Sequence, residues 1–345
     1  MTLLTQSSPD IDLQQVAEIA SIHYGLKGEI NPLPGERDAN FRLRVNSQQQ
    51  YMLRFINAAE STIEVEFQIE LLRYLEDHAT DLPIPKLVPT LSGEDQPMIL
   101  HADQQYRLRM VSYLEGTPLY LHQGIPQLAS DLGVIIARLD RVLTGFTHLG
   151  AKRDLLWDIT YPQRLLDHID CLQDQPLADL VLAVINRHTE QVLPHLDSVP
   201  WQVSHNDLNP HNVLVSPDQQ SISGIIDFGD ALYAPRVNNL ATALSYQWVD
   251  QEDPLICVRH FLSTYQKHMP LNAEELKMLP VLIATRMCLT LLITSWRAAL
   301  YPENREYILR NFPLASRSLR SLSRLPDSWI DDLLINHGVS NDRSC

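Results

Sequence analysis

His205-Asn206-Asp207-Leu208-Asn209-Pro210-His211-Asn212 is followed, after two largely apolar runs, by Asp227-Phe228-Gly229. The runs cover residues 213–215 and 222–226, and the turn triplet Ser216-Pro217-Asp218 separates them. Apolar runs on both sides of such a turn predict a β-hairpin. The hairpin carries Asn212 at its entrance and Asp227 at its exit, so we expect both side chains to lie at one end of it.

Asp207, Asn212 and Asp227 have the residue types and the spacing of a phosphoryl-transfer signature. In that template the loop Asp accepts a hydroxyl proton, while the Asn and the second Asp hold metal ions that bridge nucleotide phosphates. Two oxygen ligands together with phosphate oxygens suit Mg²⁺. An ordinary turn and a strand that ends at Gly229 would not account for the joint spacing. We therefore predict Asp207 as the catalytic residue and Asn212 and Asp227 as metal ligands.

Composition limits the partners of this chain. It has 345 residues, of which 45% are hydrophobic, and is therefore long enough for two globular lobes. The formal net charge is −15 and no block of Lys and Arg occurs, which argues against nucleic acid or an anionic membrane as partner. The acidic balance is compatible with a cationic small substrate, although a solvated acidic surface is the simpler explanation.

The segment patterns predict a cytoplasmic protein. Residues 1–12 are polar and lack the basic and apolar regions of a signal peptide. The longest apolar segment, residues 279–296, is interrupted by Arg286, which predicts a buried helix rather than a membrane span. The four cysteines are far apart and form no Cys-x-x-Cys pair, so we predict neither a disulfide framework nor a zinc site.

The order of the predicted elements indicates an α+β fold. A helix over residues 11–24 precedes a hairpin with strands at 41–45 and 51–55, a helix over 63–78 and a strand at 106–113. Past residue 117 the pattern is mostly helical, with helices expected at about 128–146, 162–195, 237–250, 255–267 and 273–300.

This order matches the bilobal arrangement of kinases, a small antiparallel β lobe followed by a larger, mainly helical lobe. We predict an N-terminal nucleotide-binding lobe over residues 1–112 and a hinge over 113–117. Residues 118–345 are predicted to form the C-terminal catalytic and substrate-binding lobe.

A kinase needs a cation on its third strand to neutralise phosphate, and a carboxylate on the next helix to aim that cation. Arg54 lies in the strand at 51–55 and offers a charged, bidentate fork to phosphate. A solvated strand residue is the alternative interpretation. For the carboxylate we choose Glu66, although Glu64 and Glu70 lie on the same helix and the sequence does not single one out.

The expected phosphate loop precedes the hairpin. It contains a single glycine, Gly35, and not the Gly-x-Gly-x-x-Gly pattern of protein kinases. Backbone amides between Gly35 and Asn40, together with the Asn40 side chain, are able to cap a phosphate. We therefore add Gly35 and Asn40 to the predicted nucleotide-binding residues.

The catalytic stretch resembles the aminoglycoside phosphotransferase and choline kinase superfamily, whose members phosphorylate small molecules on a kinase-like fold. Protein kinases fit less well, because no Ala-Pro-Glu motif follows Gly229 and the Gly-rich loop is absent. Within the superfamily the chain is most similar to hydroxylysine kinases and to the kinase-like domains fused to some class III aminotransferases. The segments that carry this resemblance are Tyr24-Gly25-Leu26, residues 35–41, Leu156-Trp157-Asp158, residues 224–230, Arg286 and Trp296-Arg297.

The resemblance implies ATP or GTP as phosphoryl donor, Mg²⁺ as cofactor, and an amino alcohol or hydroxy amino acid as acceptor. An amino acid substrate needs a cation for its carboxylate and an anion for its amine. Arg286 lies in an apolar helix, where an unpaired charge is costly, so its partner is either a substrate carboxylate or an internal one. Trp157 and Asp158 either bind an ammonium group or serve core packing and helix capping.

The surroundings of the catalytic loop raise three further points. We interpret His205 as a structural brace for the loop rather than a proton shuttle. Asp230 is either a further loop or metal-shell residue or a helix N-cap. Many relatives have an acidic residue just before Leu-Ala in the helix after the metal strand, where this chain has Asn239. Asn239 can hydrogen bond but carries no charge, so the rigidity of the loop is in doubt.

Three functional hypotheses follow. The first is a small-molecule kinase of the hydroxylysine kinase type, with homoserine, choline or ethanolamine kinase activity as variants. The second is a nucleotide-binding pseudokinase, against which the complete set of Asp207, Asn212 and Asp227 argues. A protein kinase is the third. The acceptor, the choice between ATP and GTP, and the oligomeric state remain open at this point.

Overall fold

The computed structural model of the chain describes residues 9–35, 38–101, 104–249, 252–326 and 328–335. The chain divides into two compact units. The smaller comprises Met1–Glu115 and His148–Gly150, and the larger comprises Gly116–Thr147 and Ala151–Cys345. The predicted hinge, residues 113–117, contains the point at which the chain first passes from one unit to the other. The functions assigned to the two lobes remain predictions.

The smaller unit is built on a five-stranded antiparallel sheet with the strand order β1-β2-β3-β5-β4. In chain order its elements are α1 (Leu13–Tyr24), β1 (Glu29–Leu33), β2 (Ala39–Arg44), β3 (Gln50–Ile56), α2 (Thr62–His78), β4 (Met98–His101) and β5 (Gln104–Ser112).

Local signals explain where the first helix starts and stops. The Asp12 side chain accepts a hydrogen bond from the backbone N–H of Gln15, and the Gln15 side chain completes a capping box. Gly25 ends the helix in the left-handed conformation, with φ 68°. The predicted helix and its stop at Gly25 are confirmed.

The β2–β3 hairpin, also as predicted, aligns three polar side chains across the sheet. Asn40 is the Cα partner of Arg54, and Arg54 is the partner of Arg109 on β5. Directly opposite residues in an antiparallel sheet share one face. The hairpin therefore places the predicted phosphate-binding Arg54 between Asn40 and a second arginine.

The larger unit is mainly helical and contains two small antiparallel sheets, β10-β7 and β6-β8-β9. In chain order its elements are β6 (Thr117–Pro118), α3 (Pro126–Leu143), a 3₁₀ helix (Pro162–Cys171), α4 (Gln175–Gln191), β7 (Trp201–Ser204), β8 (Val213–Val215), β9 (Ile222–Ile225), β10 (Leu232–Pro235), α5 (Arg236–Ser245), α6 (Ile256–His268), α7 (Ala273–Leu300), α8 (Arg305–Ile308), α9 (Phe312–Leu322) and α10 (Trp329–Ile335).

The hairpin predicted between the motifs at residues 205–212 and 227–229 is present. Strands β8 and β9 pair antiparallel, and the loop that contains Asp207 connects β7 to β8. Asp227 follows the end of β9. A short hairpin thus presents both predicted metal ligands at the same end, as their positions in the sequence indicated.

Helix α7 forms the core of the larger unit. It is long and apolar enough to cross a membrane, but 89% of its most apolar 18-residue stretch is buried within the protein. Residues 281–294 are all buried, including Arg286. The prediction of a buried helix for this segment is confirmed.

The structure differs from the predicted helix pattern in three places, one of which lies past residue 300, where helices α8, α9 and α10 were not predicted. The region 162–195 is interrupted, because Asp174 caps a new helix by accepting from the Leu177 N–H (3.1 Å) and Pro176 lies in its first turn. Helix α5 ends at Ser245, before the predicted end at residue 250. The short strands β4, β7 and β10 were not predicted either, since four residues are too few for a pattern to separate a strand from a loop.

Candidate active site

The catalytic loop is fixed to the strand that leads to Asp227. His205 is fully buried, and its Nε2–H donates to the carbonyl oxygen of Ile226 (3.0 Å). Its Nδ1 accepts from the Asp207 backbone N–H (3.3 Å). Burial lowers the pKa of His205, which favours the neutral ring that these two bonds require. His205 therefore braces the loop, as interpreted from the sequence.

Asp207 is held from two sides. Its Oδ1 accepts from Nη2 of Arg286 (2.8 Å), and its Oδ2 accepts from the side-chain amides of Asn209 and Asn212 (both 2.8 Å). The Asp207 side chain is still 19% exposed. A carboxylate with fixed orientation and remaining access to solvent is suited to receive a proton from a bound hydroxyl group.

Asn212 and Asp227 lie together at the end of the β8–β9 hairpin. The Ile226 N–H donates to the Asn212 carbonyl oxygen (2.9 Å), which places Asp227 one residue beyond this contact. The Asn212 amide donates to Asp207, so its side-chain oxygen is the atom left for a metal ion. Asp227 is exposed and has φ 63°, an unusual value for a residue with a side chain. One carboxylate and one amide oxygen fit Mg²⁺, which also takes water and phosphate oxygens.

Arg286 has internal partners. It is 1% exposed, and its guanidinium contacts Asp207, the Tyr246 hydroxyl (3.3 Å) and the Trp157 carbonyl oxygen (3.2 Å). The guanidinium carbon also lies 4.7 Å from the centre of the Trp157 ring. Of the two alternatives that the sequence left open, the internal ion pair is the one present in the structure. Its partner is the predicted catalytic aspartate.

Trp157 and Asp158 also have partners within the larger unit. The Trp157 ring contacts the Arg286 guanidinium, as just described. Asp158 Oδ1 accepts from the backbone N–H (2.9 Å) and the hydroxyl group (2.5 Å) of Thr160. Burial raises the pKa of Asp158. These contacts give both residues a structural role, while contact of Trp157, Asp158 or Arg286 with a substrate remains a prediction.

In the smaller unit the structure brings Gly35, Asn40 and Arg54 together. Arg54 Nε donates to Asn40 Oδ1 (3.0 Å), and Arg54 Nη1 lies 3.4 Å from an Asp38 carboxylate oxygen. A Cβ atom added at Gly35 would lie 2.4 Å from the Asp38 carbonyl oxygen and 2.5 Å from Asn40 Nδ2, so the turn has no room for a side chain. Residues 36 and 37 of the predicted phosphate loop lie outside the described residues.

The structure does not bring Arg54 and Glu66 together. Glu66 is exposed on α2, and the polar residue that this helix buries is Gln68, which accepts from Arg109 Nη1 (2.8 Å). Residues two apart on a helix point to different sides, so Glu66 cannot share the position of Gln68. Glu64 accepts from the Ser61 hydroxyl (2.7 Å). These contacts give no support to the prediction that Glu66 aims Arg54, and the role of Glu66 stays a prediction.

Residues 29–267 match the family model described as the phosphotransferase enzyme family, APH. The chain belongs to this phosphotransferase family. The prediction of a small-molecule kinase, an enzyme that transfers phosphate to a hydroxyl group, is confirmed at this level. Over 344 residues the phosphotransferase is 30% identical to the hydroxylysine kinase of Danio rerio, with 95% of each chain covered.

Two solved structures show that the phosphotransferase has the predicted kinase-like fold. The amicoumacin kinase hAmiN, in complex with AMP-PNP, Ca²⁺ and Ami, has a TM-score of 0.65 at 18% identity and covers 88% of this chain and 95% of its own. A microcompartment-associated aminopropanol kinase has a TM-score of 0.61 at 18% identity and covers 95% of this chain and 99% of its own.

Four residues around the predicted site were not predicted from the sequence: Asp38, Asp140, Asn209 and Tyr246. Asn209 contacts Asp207, Tyr246 contacts Arg286, and Asp38 contacts Arg54. Asn209 lies within the quoted motif, so its amide was a detectable signal. Asn239 Oδ1 accepts from the Asn206 backbone N–H (3.0 Å), and the Asn239 amide donates to the buried Asp140 (2.6 Å). Nothing in the local sequence indicates that Asp140 lies behind the loop.

Proposed function

We propose that this phosphotransferase moves the γ-phosphate of ATP or GTP to the hydroxyl group of an amino alcohol or hydroxy amino acid, as a hydroxylysine kinase-like enzyme. The observation that carries the proposal is the Asp207 carboxylate, which Arg286, Asn209 and Asn212 hold in one orientation. Similarity to a hydroxylysine kinase over 95% of the chain supports this acceptor class. The fold shared with an aminopropanol kinase is compatible with a simple amino alcohol.

In the proposed reaction Asp207 accepts the proton of the acceptor hydroxyl as its oxygen attacks the γ-phosphorus. The bond from that phosphorus to the β,γ-bridging oxygen breaks, and the nucleoside diphosphate leaves. Arg286 donates to Oδ1 and the two amides donate to Oδ2, so the carboxylate is oriented before the substrate arrives. Positioning of this kind is the main contribution that a protein makes to phosphoryl transfer.

We assign the nucleotide and the metal to the predicted residues. The Asn212 side-chain oxygen and the Asp227 carboxylate would hold Mg²⁺, which when bound neutralises phosphate charge. Arg54, with Asn40 and the Gly35 turn, would hold phosphate. Asp38 lies beside Arg54 and must share that cation with the incoming phosphate. We place the enzyme in the cytoplasm, where both nucleotides are available.

The proposal is tested by incubating the purified chain with Mg²⁺ and ATP or GTP and a panel of acceptors. The panel contains 5-hydroxylysine, homoserine, choline, ethanolamine and aminopropanol, and mass spectrometry measures the phosphorylated product. We expect Asp207→Asn to lower kcat by about 10²- to 10⁴-fold. Asp218→Asn is the matched control, because Asp218 is an exposed carboxylate in the turn of the β8–β9 hairpin.

Three outcomes would contradict the proposal. Equal turnover by the wild type and Asp207→Asn would remove Asp207 from the chemistry. Nucleotide binding without product from any acceptor would favour the pseudokinase hypothesis. Phosphate incorporation into a protein substrate, with none into the small molecules, would favour a protein kinase.

A further inference from the structure

A chain of buried polar side chains runs from helix α3 to the catalytic loop. Asp140 on α3 is fully buried. Its Oδ1 accepts from Asn239 Nδ2 (2.6 Å), and its Oδ2 accepts from the Tyr265 hydroxyl (2.8 Å). Asn239 Oδ1 in turn accepts from the backbone N–H of Asn206 (3.0 Å). Each of these buried groups thus has the hydrogen-bond partner that its burial requires.

The Asp140 carboxylate determines which way the Asn239 amide faces. An amide carries an acceptor oxygen on one side and an NH₂ donor group on the other, with nearly the same shape. If the amide turned over, its NH₂ group would face the Asn206 N–H and its oxygen would face the Asp140 carboxylate. Both contacts would then be repulsive, because donor would meet donor and acceptor would meet acceptor. Asp140 therefore keeps the Asn239 oxygen directed at the loop.

The hydrogen bond at Asn206 supports an unfavourable backbone conformation. Asn206 has φ 65°, in the left-handed region that a residue with a side chain adopts at a cost. Asp207 is the next residue, so a change of backbone angle at Asn206 moves its carboxylate away from Arg286 and Asn212. Small misplacements of a catalytic group are costly for rate.

We propose that Asp140 is a positioning residue of the active site, and that it acts through Asn239 to hold the catalytic loop at Asn206. The carboxyl group that position 239 lacks is supplied by the residue behind it. The effect on turnover rests on the proposed kinase function, whereas the effect on the loop backbone does not.

An exchange of the two side chains tests this proposal. Asn239→Asp alone places two buried carboxyl groups about as close as the present 2.6 Å contact, where they repel each other once both are ionised. The variants are therefore compared in alkaline buffer, above the pKa of Asp140. The double variant Asp140→Asn with Asn239→Asp restores one amide and one carboxylate in reversed order. Asp at position 239 again accepts from the Asn206 N–H, and Asn at position 140 accepts from Tyr265. Asp131→Asn makes the same change at a partly exposed carboxylate bonded to Gln127 on helix α3 and is the matched control.

Two readouts are needed. We expect Asn239→Asp to lower kcat about tenfold or more while KM for the acceptor changes less than about threefold, and the double variant to recover to within about threefold of the wild type. Hydrogen–deuterium exchange at the Asn206 amide should speed up at least about tenfold in Asn239→Asp and slow down again in the double variant. If Asn239→Asp does not fold, Tyr265→Phe, which removes the donor to Asp140, should also speed up this exchange.

The exchange readout separates failure of this proposal from failure of the kinase function. If the double variant exchanges at Asn206 as fast as Asn239→Asp, or if none of the variants alters this exchange, Asp140 does not position the loop. If exchange recovers in the double variant but kcat does not, the catalytic part of the proposal is overturned. If the wild type phosphorylates no acceptor while exchange follows the expected order, the kinase function fails and the positioning role stands.

Discussion

The catalytic loop of the larger unit and the predicted phosphate-binding segment of the smaller unit are held in different ways. Around Asp207 the supporting groups are buried. Asn209 and Asn212 come from the loop itself, whereas the charged partner, Arg286, is 79 residues away. Around Arg54 the partners Asp38 and Asn40 come from the neighbouring strand and the turn before it. In the proposed mechanism, proton transfer thus depends on the buried core of the larger unit, whereas phosphate contact depends on a local hairpin of the smaller unit.

The largest expected effect tests the buried support of Asp207. Arg286→Gln removes a guanidinium that is 1% exposed and leaves Asp207 without its charged partner. We expect a loss of about 3–5 kcal/mol in the free energy of unfolding and a fall in kcat of about 100-fold or more. Urea denaturation and steady-state kinetics measure the two effects. Arg259→Gln, which breaks a more exposed pair with Asp253, should change either quantity far less.

The second prediction concerns pH and the support behind the loop. Burial raises the pKa of Asp140 from 3.8 to about 7, although Tyr265, Asn239 and Arg236 lower it and Glu275 raises it further. Between about pH 4 and pH 7 the folded chain thus holds a proton that the unfolded chain has lost. The Asp140 contribution to stability therefore falls as pH rises, by up to about 1.4 kcal/mol per pH unit.

The measurement is the free energy of unfolding from pH 4 to pH 8 for the wild type and for Asp140→Asn. We expect the variant to lose less stability than the wild type as pH rises through this range. Parallel curves for the two proteins would show that Asp140 does not exchange its proton there.

A smaller effect tests the predicted phosphate-binding residue Arg54 on the β2–β3 hairpin. Arg54→Gln should raise KM for the nucleotide about tenfold, the value of one charge-assisted contact to phosphate. Stability should change little, because the Arg54 partners are local and its side chain is partly exposed. Arg44→Gln, an exposed arginine on the neighbouring strand β2, is the control for loss of charge. An unchanged KM in Arg54→Gln would remove Arg54 from the phosphate site.

The smallest effect separates two neighbours on helix α2. Glu66 is exposed, so Glu66→Gln should change stability by less than about 0.5 kcal/mol and leave nucleotide KM unchanged. Gln68→Leu deprives the buried Arg109 of a partner and should cost about 1–3 kcal/mol of unfolding free energy. Thermal unfolding compares the two variants. A larger loss from Glu66→Gln than from Gln68→Leu would reverse this assignment.

The sequence predicted those parts of the fold and site that depend on neighbours along the chain. The β8–β9 hairpin with Asn212 and Asp227 at its ends follows from two apolar runs and a turn triplet. The burial of Arg286 followed from its apolar surroundings, and the need for a partner followed from its charge. That the partner is Asp207, and not a substrate, depends on how α7 packs against the loop, which no local pattern contains.

The features that the sequence does not predict have similar causes. Three glutamates lie on α2, but which side of this helix faces the sheet is decided by packing, and the buried polar position belongs to Gln68. Asp140 lies 99 residues from Asn239 and is one of 42 acidic residues in the chain. The contact between Asp140 and Asn239 forms only when helices α3 and α5 are folded and packed. The interruption before α4 did have a local signal, Asp174 followed by Pro176.

The placement of Arg286 in the buried part of helix α7 has a consequence for heat inactivation. Helix α7 cannot separate from Asp207 without opening the hydrophobic interior of the larger unit, so no partly loosened species retains that interior and lacks the Asp207 contact. Activity and tertiary structure should then be lost at the same temperature, in one cooperative step. An enzyme whose catalytic aspartate relied on a surface loop would instead lose turnover well before it melts.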